Sequence, residues 1–294
     1  MHENPKLSII LPSYNEAEVV GSVCTGLRQA FPDAEIMVVN DNSADETAAV
    51  AEAAGARVVS HHYNMGNGAA IKTGARHAKG EILVFMDADG QHDAEDVAHL
   101  LEKIESGYEL VIGARAADTH ASSGRWLGNN LLNKLASLLT GHKIPDLTSG
   151  FRAARAESFR QFLYLLPNGF SYPTTTTMAY MRSGYPVAFV PIRAGERKGK
   201  SKISFIKDGV RFLVIIMKMT ALFSPMRVFF PASLLFFLLG LGRYIYYYWQ
   251  TGGFSNMAGL LFTTSVLIFL IGLISEQITA LHYGLSRTHK CHDE

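Results

Sequence analysis

The segment "EILVFMDADGQHD", residues 81–93, decides how the chain is read. Inside it, "ILVFM" is an unbroken apolar run, followed at once by Asp87 and Asp89 and four residues later by Asp93. A strand that is apolar at every position has both faces covered, the mark of a parallel sheet held between helices. Such sheets bind ligands beyond the carboxyl ends of their strands. The acids therefore sit where a ligand would.

Outward from this strand, "LSIILP", "EIMVVN", "ARVVS" and "ELVIG" also read as strands, and helical patterns fall around residues 17–30, 45–54, 67–78 and 94–106. The alternation predicts a doubly wound α/β domain over the first two hundred residues or so. A dinucleotide fold needs G-x-G-x-x-G after the first strand, but "PSYNEAE" follows it, and "GNGAAI" at 66–71 lacks the third glycine at the right spacing. The Walker lysine motif is absent as well, and no repeat or low-complexity segment is visible.

Of 294 residues, 27 are Lys or Arg and 26 Asp or Glu, for a net charge of +1, so no basic footprint for nucleic acid is expected. Cys24 and Cys291 lie near opposite ends, without the spacing of a disulfide framework or a zinc site, which fits a reducing setting. "MHENPK" runs directly into the first strand without the apolar core of a cleavable signal.

From Val228 the text changes to "VFFPASLLFFLLGLG" and, after "QTGGFSN", to "MAGLLFTTSVLIFLIGLIS". Each stretch approaches the roughly 20 residues of a bilayer-spanning helix, the first by including "RYIYYYW". Two buried helices of a soluble core are the alternative. The short uncharged connection, edged by Tyr244, Tyr246, Tyr247, Tyr248 and Trp249, favours a membrane hairpin with an aromatic belt. Lys198, Lys200, Lys202, Lys207, Arg211, Lys218 and Arg227 precede the hairpin and Arg287 and Lys290 follow it, so both termini are expected on the cytoplasmic side. Arg243 should snorkel among the tyrosines while Glu276 lies near the opposite interface. Between the two regions, "SFIKDGVRFLVIIMKMTALFSP" places Lys207, Arg211 and Lys218 in one narrow arc, as in a helix lying in the headgroup plane; a core helix is the alternative. The expected organisation is a catalytic domain over 1–203, an interfacial helix over 204–225, membrane helices over 226–250 and 257–283, and a cytoplasmic tail over 284–294.

Asp87 and Asp89 bracket one residue of a turn, so both can approach one hard cation, which prefers oxygen ligands and bridges to phosphates; Gln91 adds a carbonyl oxygen. Solvated turn residues are the bland alternative.

Six motifs, "LPSYNEAE", "VVNDNSADET", "NMGNGAAIKTG", "FMDADGQHD", "DLTSGFRA" and "RKGKSKIS", occur in an order that resembles family 2 glycosyltransferases, and more narrowly the polyprenyl-phosphate hexose synthases typified by dolichol-phosphate mannose synthase. The resemblance covers residues 7–205, and the C-terminal anchor is similar to one branch of the group. It implies a GT-A fold with a mixed sheet and inverting transfer of one hexose from a UDP- or GDP-linked sugar to a polyprenyl phosphate. It also implies that Pro12, Tyr14 and Glu16 line the nucleoside pocket, that Asp41 faces the base, that Asp87 and Ala88 meet the nucleotide, and that Asp89 is catalytic. Asp87, Asp89 and Gln91 would hold Mg2+ or Mn2+. Asn40 stands where many relatives have aspartate, which leaves the choice between uracil and guanine open. Lys72 faces the diphosphate or is a surface lysine.

On the acceptor side, arginine forks suit a dianionic phosphate. Arg115, Arg125, Arg152 and Arg197 with Lys202 are the candidates, Arg152 being alternatively structural. Asp146 either serves as a base or orients an arginine. Thr174, Thr175, Thr176 and Thr177 either cap a helix or meet sugar hydroxyls. A processive polysaccharide synthase and a non-catalytic membrane scaffold are the competing functions. The synthase motif Q-x-x-R-W is not matched around Arg125-Trp126, and the intact acids argue against the scaffold. Sugar, polyprenol length and oligomeric state, including a homo-oligomer, are not legible.

Overall fold

The computed structural model describes residues 6–92, 94–115, 133–134, 136–137, 141–169, 171–192 and 225–288. The chain divides into two compact units, Met1–Ser204 and Phe205–Glu294. Asp93, Arg125, Arg197, Lys202 and the expected interfacial helix up to residue 224 lie outside the described residues, as does the tail from residue 289.

In the first unit, β1 (Leu7–Ser13), β2 (Glu35–Asn40), β3 (Arg57–Ser60), β4 (Ile82–Phe85) and β5 (Leu110–Arg115) alternate with α1 (Ala17–Ala30), α2 (Thr47–Ala53), α3 (Asn67–His77) and α4 (Ala94–Glu105). Then come β6 (Arg152–Arg155), α5 (Ala156–Gln161), α6 (Tyr172–Arg182) and β7 (Val187–Ile192). The strands form one sheet in the order β3-β2-β1-β4-β6-β5-β7. Only β6 is antiparallel, wedged between β4 and β5 with Ala153 opposite both Val84 and Val111.

Strand alternation sends Ile9, Leu11, Val38, Val84 and Val111 to one face, under Val20, Cys24 and Leu27 of α1 and Val97, Leu100 and Ile104 of α4. Residues one step out of phase face the other way: Gly74 of α3 packs on Ile10 and Val39, and Phe85 meets Phe159 of α5 at 4.5 Å between ring centroids. With both faces covered, functional groups emerge only at strand ends. Six of those ends, at β1, β2, β3, β4, β5 and β7, point the same way, because parallel strands end on one side.

The second unit pairs α7 (Met226–Thr251) with α8 (Asn256–Thr288). Gly252, at φ 69°, ends α7 in a left-handed cap with its N–H on the Tyr248 carbonyl. The helices are joined by a reciprocal polar contact: Ser233 Oγ donates to the Ser265 carbonyl at 3.0 Å and Ser265 Oγ to the Ser233 carbonyl at 2.8 Å. Both are long and apolar enough to cross a membrane, and their most apolar windows are only 11% and 17% buried. A helix inside a soluble core would be covered; here Leu235, Leu238, Leu260 and Ile274 are exposed. The Arg243 guanidinium lies 5.8 Å and 6.0 Å from the rings of Tyr246 and Tyr247, while Glu276 accepts the Met226 N–H at the other end of the hairpin.

Candidate active site

A cavity of about 570 Å³ opens at the carboxyl ends of β1, β2, β4 and β5. It is lined by Pro12, Tyr14 and Glu16 after β1, by Asp41 after β2, by Asp87, Ala88, Asp89 and Gln91 after β4, and by Arg115 ending β5.

Local hydrogen bonds fix the first two loops to each other. Asn15, held at φ 57°, donates its backbone N–H to Ser43 Oγ at 2.9 Å and accepts the Ala44 N–H at 2.8 Å. The Glu16 N–H bonds Thr47 Oγ1 at 2.9 Å and the Ala17 N–H bonds Asp45 at 3.1 Å. Tyr14, half exposed, is thus carried into the cavity on a braced loop. Asp41 is 4% exposed and does architectural work: its oxygens accept the Met65 and Gly66 N–H groups, each at 2.8 Å, and meet His61 Nδ1 at 2.7 Å. His61 Nε2 in turn meets Thr73 Oγ1 of α3 at 2.9 Å. This chain hangs the 61–66 loop and the start of α3 over the pocket, bringing in Asn64, Gly66, Asn67 and Ala70.

The acidic turn closes on Gly90 at φ 74°, a conformation that suits glycine, and Asp89 Oδ1 accepts the Gln91 N–H at 3.2 Å. Gly150, ahead of β6, abuts this turn: a Cβ there would stand 3.7 Å from Asp87 Oδ2 and 3.3 Å from the Tyr172 hydroxyl. The donor set is two carboxylates and an amide, all oxygen, on one turn. No cluster of three His, Cys, Asp or Glu side chains suited to a metal occurs among the described residues. That set fits a hard cation such as Mg2+ or Mn2+, which binds one or two carboxylates and takes its remaining ligands from phosphate and water.

Arg115 is held by Asp146. Its Nε donates to Oδ2 at 2.8 Å and its Nη2 to Oδ1 at 3.2 Å, with Thr148 Oγ1 a further acceptor at 2.8 Å. Burial works against both charges, but the mutual hydrogen bond and attraction outweigh it, so Asp146 titrates below the ordinary carboxylate range and Arg115 above the ordinary guanidinium value.

Arg152 is fully buried and outside the cavity lining. It donates to the Pro173 and Ser149 carbonyls, stacks 5.6 Å from the Tyr172 ring, and is pulled down in pKa by burial. It ties the β6 approach to α6. Lys72 likewise points away from the cavity, donating to the Leu166 carbonyl at 3.0 Å and to Asn168 Oδ1. Asn40 bonds Ser60 Oγ and the Ser43 N–H beneath the pocket, not at its surface. The threonines reach backward along α6: Thr175, Thr176 and Thr177 donate to the carbonyls of Ser171, Tyr172 and Pro173, four residues earlier, so capping is replaced by back-bonding.

Sequence reasoning left Asn64, Asn67, Thr148, Gly150, Tyr172 and Pro173 unassigned, yet all line the cavity. Asn64, Asn67, Thr148 and Gly150 lie inside quoted motifs, "NMGNG" and "DLTSG"; Tyr172 and Pro173 lie in "NGFSYPTTTTMAYMRSGY", a segment that the family resemblance puts at the border of the pocket without marking either residue.

The mixed sheet, with acids after its central strand and the Arg115–Asp146 pair beside them, is the GT-A architecture of sugar transferases. The chain belongs to Glycosyl transferase family 2, whose model matches residues 8–163, and the GtrB C-terminal hairpin matches residues 224–281. It is 30% identical to "Glycosyltransferase AglJ" of Haloferax volcanii over 93% of this chain and 94% of that protein. It is 31% identical to a "Dolichyl-phosphate hexose transferase" of the same organism over 69% of this chain and 89% of that one. Among solved structures, glucosyl-3-phosphoglycerate synthase of Mycobacterium tuberculosis, in complex with Mn2+, UDP and phosphoglyceric acid, superposes with a TM-score of 0.60 at 22% identity, over 74% of this chain and 78% of that chain.

Proposed function

We propose that this glycosyltransferase moves a single hexose from a nucleotide-diphosphate sugar to a polyprenyl phosphate, with inversion, at the cytoplasmic face of the membrane crossed by its hairpin. One observation carries the reading: a single cavity joins the acidic turn, Asp87 to Gln91, with the braced guanidinium of Arg115. A relative named for hexose transfer to dolichyl phosphate supports a lipid phosphate as acceptor.

In this reading Pro12, Tyr14 and Glu16 surround the nucleoside, and Asp87, Asp89 and Gln91 hold Mg2+ or Mn2+. The bound cation neutralises the diphosphate and eases its departure. Arg115, with Arg125, Arg197 and Lys202, receives the acceptor phosphate and holds it in line with the anomeric carbon. A phosphate monoester has its second pKa at about 6, so at pH 7 it is already an anionic nucleophile and no base is required. Asp146, occupied by Arg115, orients that arginine. Arg152, by its burial, is assigned to structure.

The test is incubation of the full-length protein in membranes with polyprenyl phosphate and labelled nucleotide sugars, followed by thin-layer analysis of the lipid extract. A mild-acid-labile lipid bearing one sugar is expected. A polymer would favour the processive synthase, and no transfer from any donor would favour the scaffold.

A further inference from the structure

We infer that Arg152, beyond tying the β6 approach to α6, is a buried positive charge that favours a metal-bound diphosphate in the cavity over the metal alone; this rests on the nucleotide-diphosphate donor proposed above. Strand register sets its position. In β6, Arg152 stands opposite Phe85 of β4, two residues before Asp87, and opposite Ile112 of β5, three residues before Arg115. It thus lies between the strand ends that carry the acidic turn and the acceptor-side arginine.

A buried side chain needs no charge to fill space, and a cation taken out of water is costly unless an acid stands beside it. Among the described residues no carboxylate pairs with Arg152. Its partners are the Pro173 and Ser149 carbonyls and, at 3.5 Å, Thr177 Oγ1, while its Nε has none among the described residues. These neutral dipoles hold the charge without cancelling it, and a guanidinium stays protonated even so. The way from this charge to the cavity is one ring. Tyr172 presents its ring to Arg152 and donates its hydroxyl to the Gly150 carbonyl at 3.3 Å, and both residues line the cavity with Asp87. Burial pushes the Tyr172 hydroxyl up in pKa, Arg152 pulls it down and Asp87 pushes it up again, so both charges act on the same group. Poorly screened by water, the Arg152 charge is felt in the cavity. It opposes a cation arriving alone and attracts an anion. A diphosphate is thereby favoured together with its metal, and the charge that gathers on it as the sugar leaves is stabilised from behind.

The experiment is calorimetric titration of the full-length protein with Mn2+ alone and, at saturating Mg2+, with UDP and GDP, the tighter nucleotide being followed in the variants. Arg152→Gln keeps amide donors and removes the charge. Mn2+ alone should then bind at least about threefold tighter and the nucleotide about tenfold weaker, the scale of one unit charge acting over about a nanometre at an effective dielectric of about 20. Arg152→Lys, with the charge kept and the fork lost, should leave both affinities within about twofold. An arginine with a structural role alone would weaken both ligands together in both variants. Shifts of the same sign, or none, in the glutamine variant overturn the inference, and so does failure of both variants to fold. If only the lysine variant folds, a loss of either ligand from it has the same consequence. Failure of the unaltered protein to bind Mn2+ and either nucleotide overturns the donor reading itself.

Discussion

Arg115 and Asp146, 31 residues apart in sequence, form a two-point ion pair at the end of β5, and the Arg115 backbone N–H reaches the same carboxylate at 3.3 Å. The Thr148 N–H and hydroxyl also donate to Asp146, at 3.0 and 3.1 Å. A carboxylate so surrounded is a poor proton acceptor and a good splint.

This sets an expectation for pH. Because the folded-state pKa of Asp146 is lowered, its contribution to stability is present above the ordinary carboxylate pKa and lost only as pH falls through the lowered value, below about pH 4. The acid limb of activity should therefore follow the acceptor phosphate, near pH 6. Asp146→Asn should raise the acceptor KM by about tenfold and leave that limb in place. A loss of about a thousandfold at saturating acceptor, with the limb erased, would instead make Asp146 a general base.

Asp89 sits in a turn and outside the buried core, so its removal should separate chemistry from folding. Asp89→Ala should abolish transfer with a thermal midpoint close to that of the unaltered protein, and chelator should do the same to the latter reversibly on metal re-addition. Full transfer in excess EDTA would remove the metal assignment.

Asp41 is expected to behave in the opposite way. Asp41→Ala strands the Met65 and Gly66 N–H groups and His61, and unsatisfied buried polar groups cost about 1–3 kcal/mol each. A total loss of about 3 kcal/mol would lower the melting temperature by roughly 6–12 °C. Nucleotide affinity should fall with it, because the 61–66 loop loses its anchor. Differential scanning fluorimetry and a nucleotide titration on the same preparation check both.

The strands and helices legible in the sequence are those written as apolar runs with clean periods: β1 to β5 and α1 to α4 fall within a few residues of where their patterns place them. The central antiparallel strand has no such pattern. β6 reads "RAAR", and its two arginines are accommodated by partners elsewhere in the fold, the Pro173 and Ser149 carbonyls and the Tyr172 ring for Arg152, the Ile104 carbonyl and Glu109 for Arg155. β7, "VAFVPI", carries a proline compatible with its edge position. At the site, the acids and the β1 loop were legible because strand ends are visible in sequence. The roles of Lys72, Arg152 and Asn40 were not, since the direction of a long polar side chain depends on loops distant in sequence, such as 166–168 for Lys72.

The hairpin gives the last prediction. The core of the first unit is built from residues between Leu7 and Ile192, and α7 and α8 form a separate compact unit closed by the Ser233–Ser265 contact. Removing residues 226–294 should therefore leave a domain that unfolds cooperatively and still binds the donor nucleotide. What it loses is residence at a surface where a long polyprenyl phosphate is concentrated in two dimensions, an effective-concentration term and not a contact. Turnover of a long-chain acceptor in vesicles should fall by about a hundredfold or more, while turnover of a short, water-soluble prenyl phosphate should change by less than about threefold. Parallel assays of the full-length and truncated proteins on both acceptors provide the comparison. Equal losses on the two would mean that the hairpin helps to build the active site itself, and the separation of anchoring from chemistry would be wrong.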